Sequence, residues 1–341
     1  MFIKELRKIR RNQLVKITIK DVAKKANVSI STVSYAINGS ERISEETRER
    51  VLKVARELNY VANTNAKLLK QKKTKAIGLF FNSWLGPVYS ELVKGVEHVV
   101  HQQGYDLVAC SCYGNENSTA YKYLRNNMVD GAVVLTSLFD DQFLKSIASK
   151  DLPLVVLDRE ITAPHVYNVL IDNFGGAFSA TKALIAAGSK RVFCFTGPQE
   201  SYDGQKRLEG YIAALGYYNI GFDSDLLIQS DFTEQTAYEQ MKQLLEQGER
   251  PTAIFSTNDE MAIGIMRAAK EAGIAIPNDM KVIGFDNIRL AELYTPGLTT
   301  VSYQQTDMGE LAAKLLFQAI NGEDPEELKV LPTKLITRET L

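Results

Sequence analysis

From residue 76 onward, short apolar runs alternate with amphipathic stretches. The runs at 77–81, 107–110, 132–136, 154–158, 192–196, 253–257 and 281–285 have strand length and are almost continuously apolar, the pattern of strands buried on both faces. Between the first two, over 91–100, apolar residues return at helical spacing until Gly104 closes the helix. Strands separated by helices in this way predict parallel sheets covered on both sides. So long an array, with a further extended segment at 167–172, predicts division into two sheets.

The first 75 residues follow another pattern. Thr18, with Asp21 three residues on, marks a helix start: the hydroxyl can accept an orphan backbone N–H and the carboxylate sits at the positive end of the helix. A second start follows at Ser29. Between them Ala26, Asn27 and Val28 form a turn, with Asn27 where the chain must visit positive φ. Val22, Val28, Val33 and Ile37 fall on one inward face, and Ala23 is small where two helices would cross. Ser44, Glu45, Glu46 and Thr47 open a third helix running to about Leu58, with Val51, Leu52, Ala55 and Leu58 on its apolar side. This spacing suits a helix-turn-helix whose second helix, about 30–37, enters a major groove. An ordinary helical hairpin would carry the same caps.

Charge sharpens the contrast. The formal net charge is only −1, but the first 73 residues carry 18 Lys and Arg against 7 Asp and Glu, leaving 22 against 34 for the rest. A basic head on an acidic body confines phosphate contacts to one end. Residues 1–16 add Arg7, Lys8, Arg10 and Arg11 to a few apolar positions and read as a mobile extension. At 341 residues, 45% hydrophobic and 24% charged, the chain is expected to hold more than one soluble globular unit. No apolar run approaches 18 residues and no signal peptide is evident, so a cytoplasmic protein without membrane contact is expected. Cys110, Cys112 and Cys194 cannot build a disulfide framework and read as free thiols.

The dense series Asp21-Val22-Ala23, Val28-Ser29, Thr32-Val33-Ser34, Asn38-Gly39, Thr47-Arg48, Val51, Leu58-Asn59-Tyr60, Asn63, Ala66 and Leu69 resembles the lactose-repressor/galactose-repressor family of bacterial transcription regulators. The resemblance implies a three-helix head over 17–62, a hinge helix and linker over 63–75, and a periplasmic-binding-protein-like core over 76–341. The core would have a first lobe of about 76–172 and 303–331, and a second of about 173–302 and 332–341. In the hinge, Leu69 matches the residue that wedges into the minor groove, with Asn63 and Ala66 beside it; a plain linker, ordered only on DNA, is compatible. Base reading falls to Ile30, Ser31 and Tyr35, with Thr18 capping the first helix of the head and Thr32, Ser34 and Asn38 partly on phosphates. Most relatives carry Arg where this chain has Tyr35, and Pro where it has Ala62. Tyr cannot make the two-pronged guanine contact of Arg, so operator sequence does not transfer.

In the core the strand ends are polar or aromatic: Asn82, Ser83, Trp84, Tyr89, Asp158, Arg159, Arg207, Phe232, Asn258, Asp259, Asp286 and Asn287. Carboxylates and guanidinium groups hydrogen-bond hydroxyls, and aromatic faces cover the C–H side of a sugar ring. The resemblance implies that Tyr89, Asp158, Arg207, Phe232, Asn258 and Asp286 contact an effector. Asp286 could instead cap the next helix, Phe232 could be core, and Trp84 could be a stacking platform or cover a dimer edge. His98, His101 and His165 form no triad or metal-binding helix, and no P-loop or dinucleotide fingerprint occurs, so neither an enzyme nor a cofactor or metal is expected. The reading is a homodimeric repressor on a roughly palindromic operator, switched by a small molecule, a sugar or sugar derivative. A catabolite-control regulator docking a phosphorylated carrier protein is the alternative, and an exported sugar receptor leaves the basic head unexplained.

Overall fold

The computed structural model of the protein describes residues 17–37, 39–60, 73–83 and 86–341. Asn38, Asn63, Ala66, Leu69, Trp84 and the 1–16 extension lie outside the described residues. The chain divides into two compact units, 1–73 and 74–341.

The first unit holds three helices, α1 (Ile19–Ala26), α2 (Ile30–Ile37) and α3 (Glu45–Glu57). Val22, Val33 and Val51 are fully buried at its centre, flanked by Ala23, Ala26, Ala36 and Ala55, with Val28, Ile37 and Leu58 packed around them. Ala23 and Ala26 let α1 pack closely, because no larger side chain would fit among these valines. Asn27 adopts φ 52°, and the Val28 N–H returns to the Ala23 carbonyl at 3.0 Å to end α1. Ser44 caps α3 by accepting the Thr47 N–H. Thr18 and Asp21 form the capping box that the sequence predicts. The Thr18 N–H and hydroxyl both donate to the Asp21 carboxylate, at 2.8 and 2.6 Å, which leaves the hydroxyl's lone pairs available to accept a backbone N–H.

The second unit alternates β1 (Ala76–Phe81), α4 (Pro87–Gln102), β2 (Asp106–Ser111), α5 (Thr119–Arg125), β3 (Ala132–Leu135), α6 (Asp141–Ile147), β4 (Leu154–Val156), β5 (Val166–Ile171), α7 (Asn173–Ala186), β6 (Phe193–Thr196), α8 (Tyr202–Tyr217), β7 (Leu227–Gln229), α9 (Glu234–Glu246), β8 (Ala253–Ser256), α10 (Asp259–Glu271), β9 (Lys281–Phe285), α11 (Arg289–Leu293), β10 (Thr299–Ser302), α12 (Gln305–Ile320), β11 (Leu328–Leu331) and β12 (Lys334–Ile336). The strands form two sheets, in the orders β11-β5-β4-β3-β1-β2 and β12-β10-β9-β8-β6-β7. Every pairing is parallel except β10 with β12, as the helical crossovers require. The chain passes between the sheets after β5, after β10 and after β11, so each sheet anchors one lobe and three strands of chain join them.

Helix α12 follows a second-sheet strand yet packs on α4 of the first lobe. Glycines make the approach possible. A Cβ on Gly95 of α4 would fall 2.1 Å from the Thr306 carbonyl oxygen, and one on Gly309 of α12 would fall 2.2 Å from that of Leu92. This reciprocal contact holds the middle of α4 against the first turns of α12. No helix among the described residues is long and apolar enough to cross a membrane.

Candidate functional site

On the head, the start of α2 is the exposed surface. Ile30 is 46% exposed and Ser31 is exposed beside it, while Thr32, Ser34 and Tyr35 are half-buried. The Ser29 hydroxyl accepts the Thr32 N–H at 3.1 Å and lies 2.7 and 2.8 Å from the Ser31 and Thr32 hydroxyls. Three hydroxyls therefore share one cap, which sets their direction before any duplex is met. Tyr35 is held by a residue the sequence reading did not single out: the Arg42 guanidinium donates to its hydroxyl at 3.4 Å and sits 5.7 Å from its ring centroid. Arg42 thus carries a positive charge at the edge of the helix where a phosphate or a guanine edge would be met.

In the core, a cavity of about 180 Å³ opens between the lobes. Its first-lobe wall is mostly apolar: Tyr89, Leu92, Leu135, Leu157 and Ile171. Tyr89 stands on the first turn of α4, its ring stacked on Phe81 with centroids 5.7 Å apart and laid against Gly86, where a Cβ would come within 2.7 Å of it. The second-lobe wall is polar: Asp203, Arg207, Asn258, Glu260 and Asp286, with Phe232 at its edge, and Tyr303 and Met308 close the back.

Arg207 is the hub of that wall. Its Nε donates to Asn173 Oδ1 at 2.8 Å and its Nη1 to the Thr257 carbonyl at 2.5 Å, while Nη2 lies 3.2 Å from Asp286 Oδ1 and 4.0 Å from Asp203 Oδ2. The guanidinium carbon sits 3.8 Å from the centroid of Phe285, so it is held flat by an aromatic face as well as by hydrogen bonds. Asp286 stands at φ 107°, with its N–H on the Val301 carbonyl and its carbonyl accepting from Gln305. Such a backbone persists only where neighbours over-determine it. The carboxylate turns to Arg207, and α11 is capped at Ile288 without a side-chain bond, so the helix-cap reading of Asp286 is set aside.

Burial dominates the ionisation of the cleft acids. It raises Asp286 to about 7 despite the Arg207 guanidinium, and pushes Asp203 and Glu260 above the usual carboxylate range. Tyr89 is raised by burial and by Asp158, Asp286 and Asp203. Ligand hydroxyls donated to these oxygens would replace the lost water and favour the ionised forms.

Asp158 faces an adjoining, larger part of the cleft of about 570 Å³ rather than the apolar cavity; Tyr89, Leu135, Asp203 and Phe232 line both. Both its oxygens accept from Arg159 Nη1, at 2.9 and 3.0 Å, and burial lifts it to about 6. Asn258 has structural duties: its oxygen caps α10 by accepting the Met261 N–H, and its amide donates to the Phe232 carbonyl at 2.9 Å. Phe232, at φ 69°, lays its ring over Gly197, where a Cβ would fall 2.0 Å from it. It is both part of the second-lobe packing and a lining of the cavity. Asp203, Glu260 and Tyr303 were not among the expected site residues. Asp203 lies one helical turn before Arg207, a spacing that places both on one face of α8.

Against known proteins, residues 18–63 match the model of bacterial regulatory proteins of the lacI family, and residues 181–341 match that of a periplasmic binding protein-like domain. The HTH-type transcriptional repressor PurR of Proteus mirabilis is 36% identical over 330 residues, covering 95% of this chain and 96% of its own. Among solved structures, the transcriptional regulator CelR–cellobiose complex superposes with a TM-score of 0.72 at 32% identity, over 95% of this chain and 99% of its own. The lac repressor dimer bound to operator and the anti-inducer ONPF does so with a TM-score of 0.72 at 28% identity, over 95% and 98%. A lacI-type helix-turn-helix, a two-lobed core and near full-length identity to transcriptional repressors coincide in one chain, which therefore belongs to the lacI family: it is a DNA-binding transcriptional repressor governed by a small-molecule effector.

Proposed function

We propose that the effector is a sugar or sugar derivative without a strongly acidic group, bound in the interlobe cleft, and that the repressor works as a homodimer on a roughly palindromic operator. The observation that carries the effector class is the chemistry of the second-lobe wall. Asp203 and Asp286 flank one guanidinium, Glu260 lines the same cavity, and that guanidinium already donates to Asn173, Thr257 and Asp286. Such a wall accepts hydroxyl donors and repels phosphates and carboxylates. The aromatic and aliphatic wall opposite suits the C–H face of a ring. A cellobiose complex and a LacI family regulator with bound ribose among the structural neighbours support the same class.

Tyr89, Arg207, Phe232 and Asp286 would touch the sugar, with Asp158 reaching the part that extends into the larger adjoining cleft and Asn258 holding Phe232 in place. A sugar bridging both walls favours one arrangement of the lobes, and linkage passes that preference to DNA affinity. Dimerisation is supported by the dimeric lac repressor neighbour and by exposed apolar side chains on the core, Leu293 at 64% and Leu290 at 45% on α11.

A thermal-shift panel of neutral, amino and phosphorylated sugars, cellobiose included, tests the effector class. A true effector at 100 times its dissociation constant should stabilise the protein by about 2.7 kcal/mol. Sedimentation then reads the dimer. If the panel moves the unfolding midpoint only with phosphorylated sugars, the proposal is wrong. On the head, Tyr35→Arg should change the half-site recovered in a binding selection, by about 1–3 kcal/mol at one base pair. An unchanged half-site removes Tyr35 from the base readers.

A further inference from the structure

The chain leaves its DNA-binding unit at Lys73 and enters the core at Thr74, and there one buried carboxylate holds it. Asp130, 7% exposed, lies in the turn before β3. Its Oδ1 accepts the Thr74 N–H at 2.6 Å and the Thr74 hydroxyl at 2.8 Å, and its Oδ2 accepts the Lys75 N–H at 3.0 Å. The same Thr74 hydroxyl accepts the Ala76 N–H at 3.2 Å. Asp130 donates its own N–H to the Ala76 carbonyl, and the Lys75 carbonyl accepts from the Asp106 N–H of β2.

The residues ahead of β1 are thereby tied to both neighbouring strands at once. Lys75 is held at φ 59°, with Nζ 4.2 Å from the ring centroid of Tyr105. A lysine stays in that region only where its surroundings insist on it. None of this is needed to place β1, which pairs along its length with β2 and over four of its six residues with β3. What the carboxylate adds is a fixed exit direction, without slack, for the chain that continues to the DNA-binding unit.

We propose that Asp130 is the positioning residue through which the first lobe acts on the DNA-binding unit. Its clamp on Thr74 and Lys75 converts movement of the lobe into movement of the connecting chain. Coupling between binding sites is reciprocal, so the clamp can be tested from the DNA side with no effector in hand.

The test uses the full chain and a duplex selected from a random library by the wild type. Amide hydrogen exchange is followed over residues 74–81 and 131–135, with and without duplex. In the wild type, duplex binding should slow exchange there by roughly fivefold or more, the lower end of usual coupling. Asp130→Asn offers one acceptor and turns an amide toward the Lys75 or Thr74 N–H; it should still bind the duplex but lose this distant protection. Thr74→Val keeps the backbone bonds and removes both hydroxyl contacts, and should lose part of it. A merely structural Asp130 would change the unfolding midpoint and leave the duplex response intact in molecules that remain folded. That result, or a wild type whose first lobe does not respond to duplex, overturns the proposal. Should Asp130→Asn not fold, an undiminished response in Thr74→Val does the same.

Discussion

The two walls of the cleft each present a carboxylate beside a guanidinium, yet they are built to different ends. In the first lobe Arg159 follows Asp158 directly in sequence and places its other donors on Asp141 and on the Thr136 and Phe139 carbonyls; the pair keeps 19% and 20% of its side-chain surface exposed. In the second lobe Arg207 and Asp286 come from distant segments, keep 5% and 10%, and draw α7, α8, the end of β8 and the loop after β9 to one point. The first pair trims the edge of a loop. The second is the framework of its wall, so the polar geometry offered to a ligand is already fixed in the second lobe. The first lobe contributes cover in the form of Tyr89, Leu92, Leu135 and Leu157. A ligand would dock on the second wall, and the first would close over it.

The largest test of that asymmetry replaces each arginine by a side chain of similar length. Arg207→Met leaves Asp286, Asp203 and Asn173 without their buried partner, and should cost about 3–5 kcal/mol of stability together with effector binding. Arg159→Met should cost less, about 2 kcal/mol, since its carboxylate partners Asp141 and Asp158 keep 51% and 20% of their side-chain surface exposed. Denaturant unfolding of the two variants side by side decides the matter. Equal losses would break the distinction between framework and edge.

A second, smaller contrast lies in pH. Burial raises both carboxyls above the ordinary 3.8, Asp286 to about 7 and Asp158 to about 6. The folded protein therefore holds a proton that the unfolded chain releases, and stability falls as pH rises. Each contribution is fully present below pH 4, that of Asp158 is lost through about pH 6, and that of Asp286 continues to fall to about pH 7. Asp286→Asn should flatten the stability profile up to neutrality, and Asp158→Asn only its acid part. Unfolding midpoints across pH 4 to 8 sharpen the comparison, and a profile left unchanged by Asp286→Asn would falsify the ranking.

The asymmetry of the walls was only partly legible in the sequence. The seven apolar runs announced seven of the parallel strands, because strands covered on both faces admit few polar residues. Strand β10 went unmarked since it reads Thr-Thr-Val-Ser; Thr299 and Thr300 are fully buried all the same, with hydroxyls engaged by Arg338 N–H and by Asp259. Three-residue strands such as β7 and β12 carry no periodicity of their own. In the head, caps and the positive φ of Asn27 depend on local chemistry and were readable, whereas the Arg42–Tyr35 contact spans a turn. In the cleft, Asp286 stood out as a charge at a strand end; Arg207, read as another strand-end residue and matched through the family resemblance, stands instead in the second turn of α8. That Asp203 and Glu260 join them follows from how α8 and α10 are rotated, which tertiary packing sets.

The smallest effect expected is at Tyr89, and it bears most directly on the claim that the first wall is cover. Tyr89→Phe keeps the ring on Phe81 and Gly86 and removes only the hydroxyl. One hydrogen bond to a neutral ligand is worth about 0.5–1.5 kcal/mol, so affinity for a responding sugar should fall by no more than about tenfold, with the unfolding midpoint of the free protein unchanged. Tyr89→Ala removes the ring and should weaken binding further, because the sugar's C–H face then meets water. Calorimetric titration of both variants with the sugar that responds in the thermal-shift panel separates the two roles. If Tyr89→Phe abolishes binding as completely as Asp286→Asn, the hydroxyl is a principal anchor, and recognition is shared between the walls instead of residing in the second.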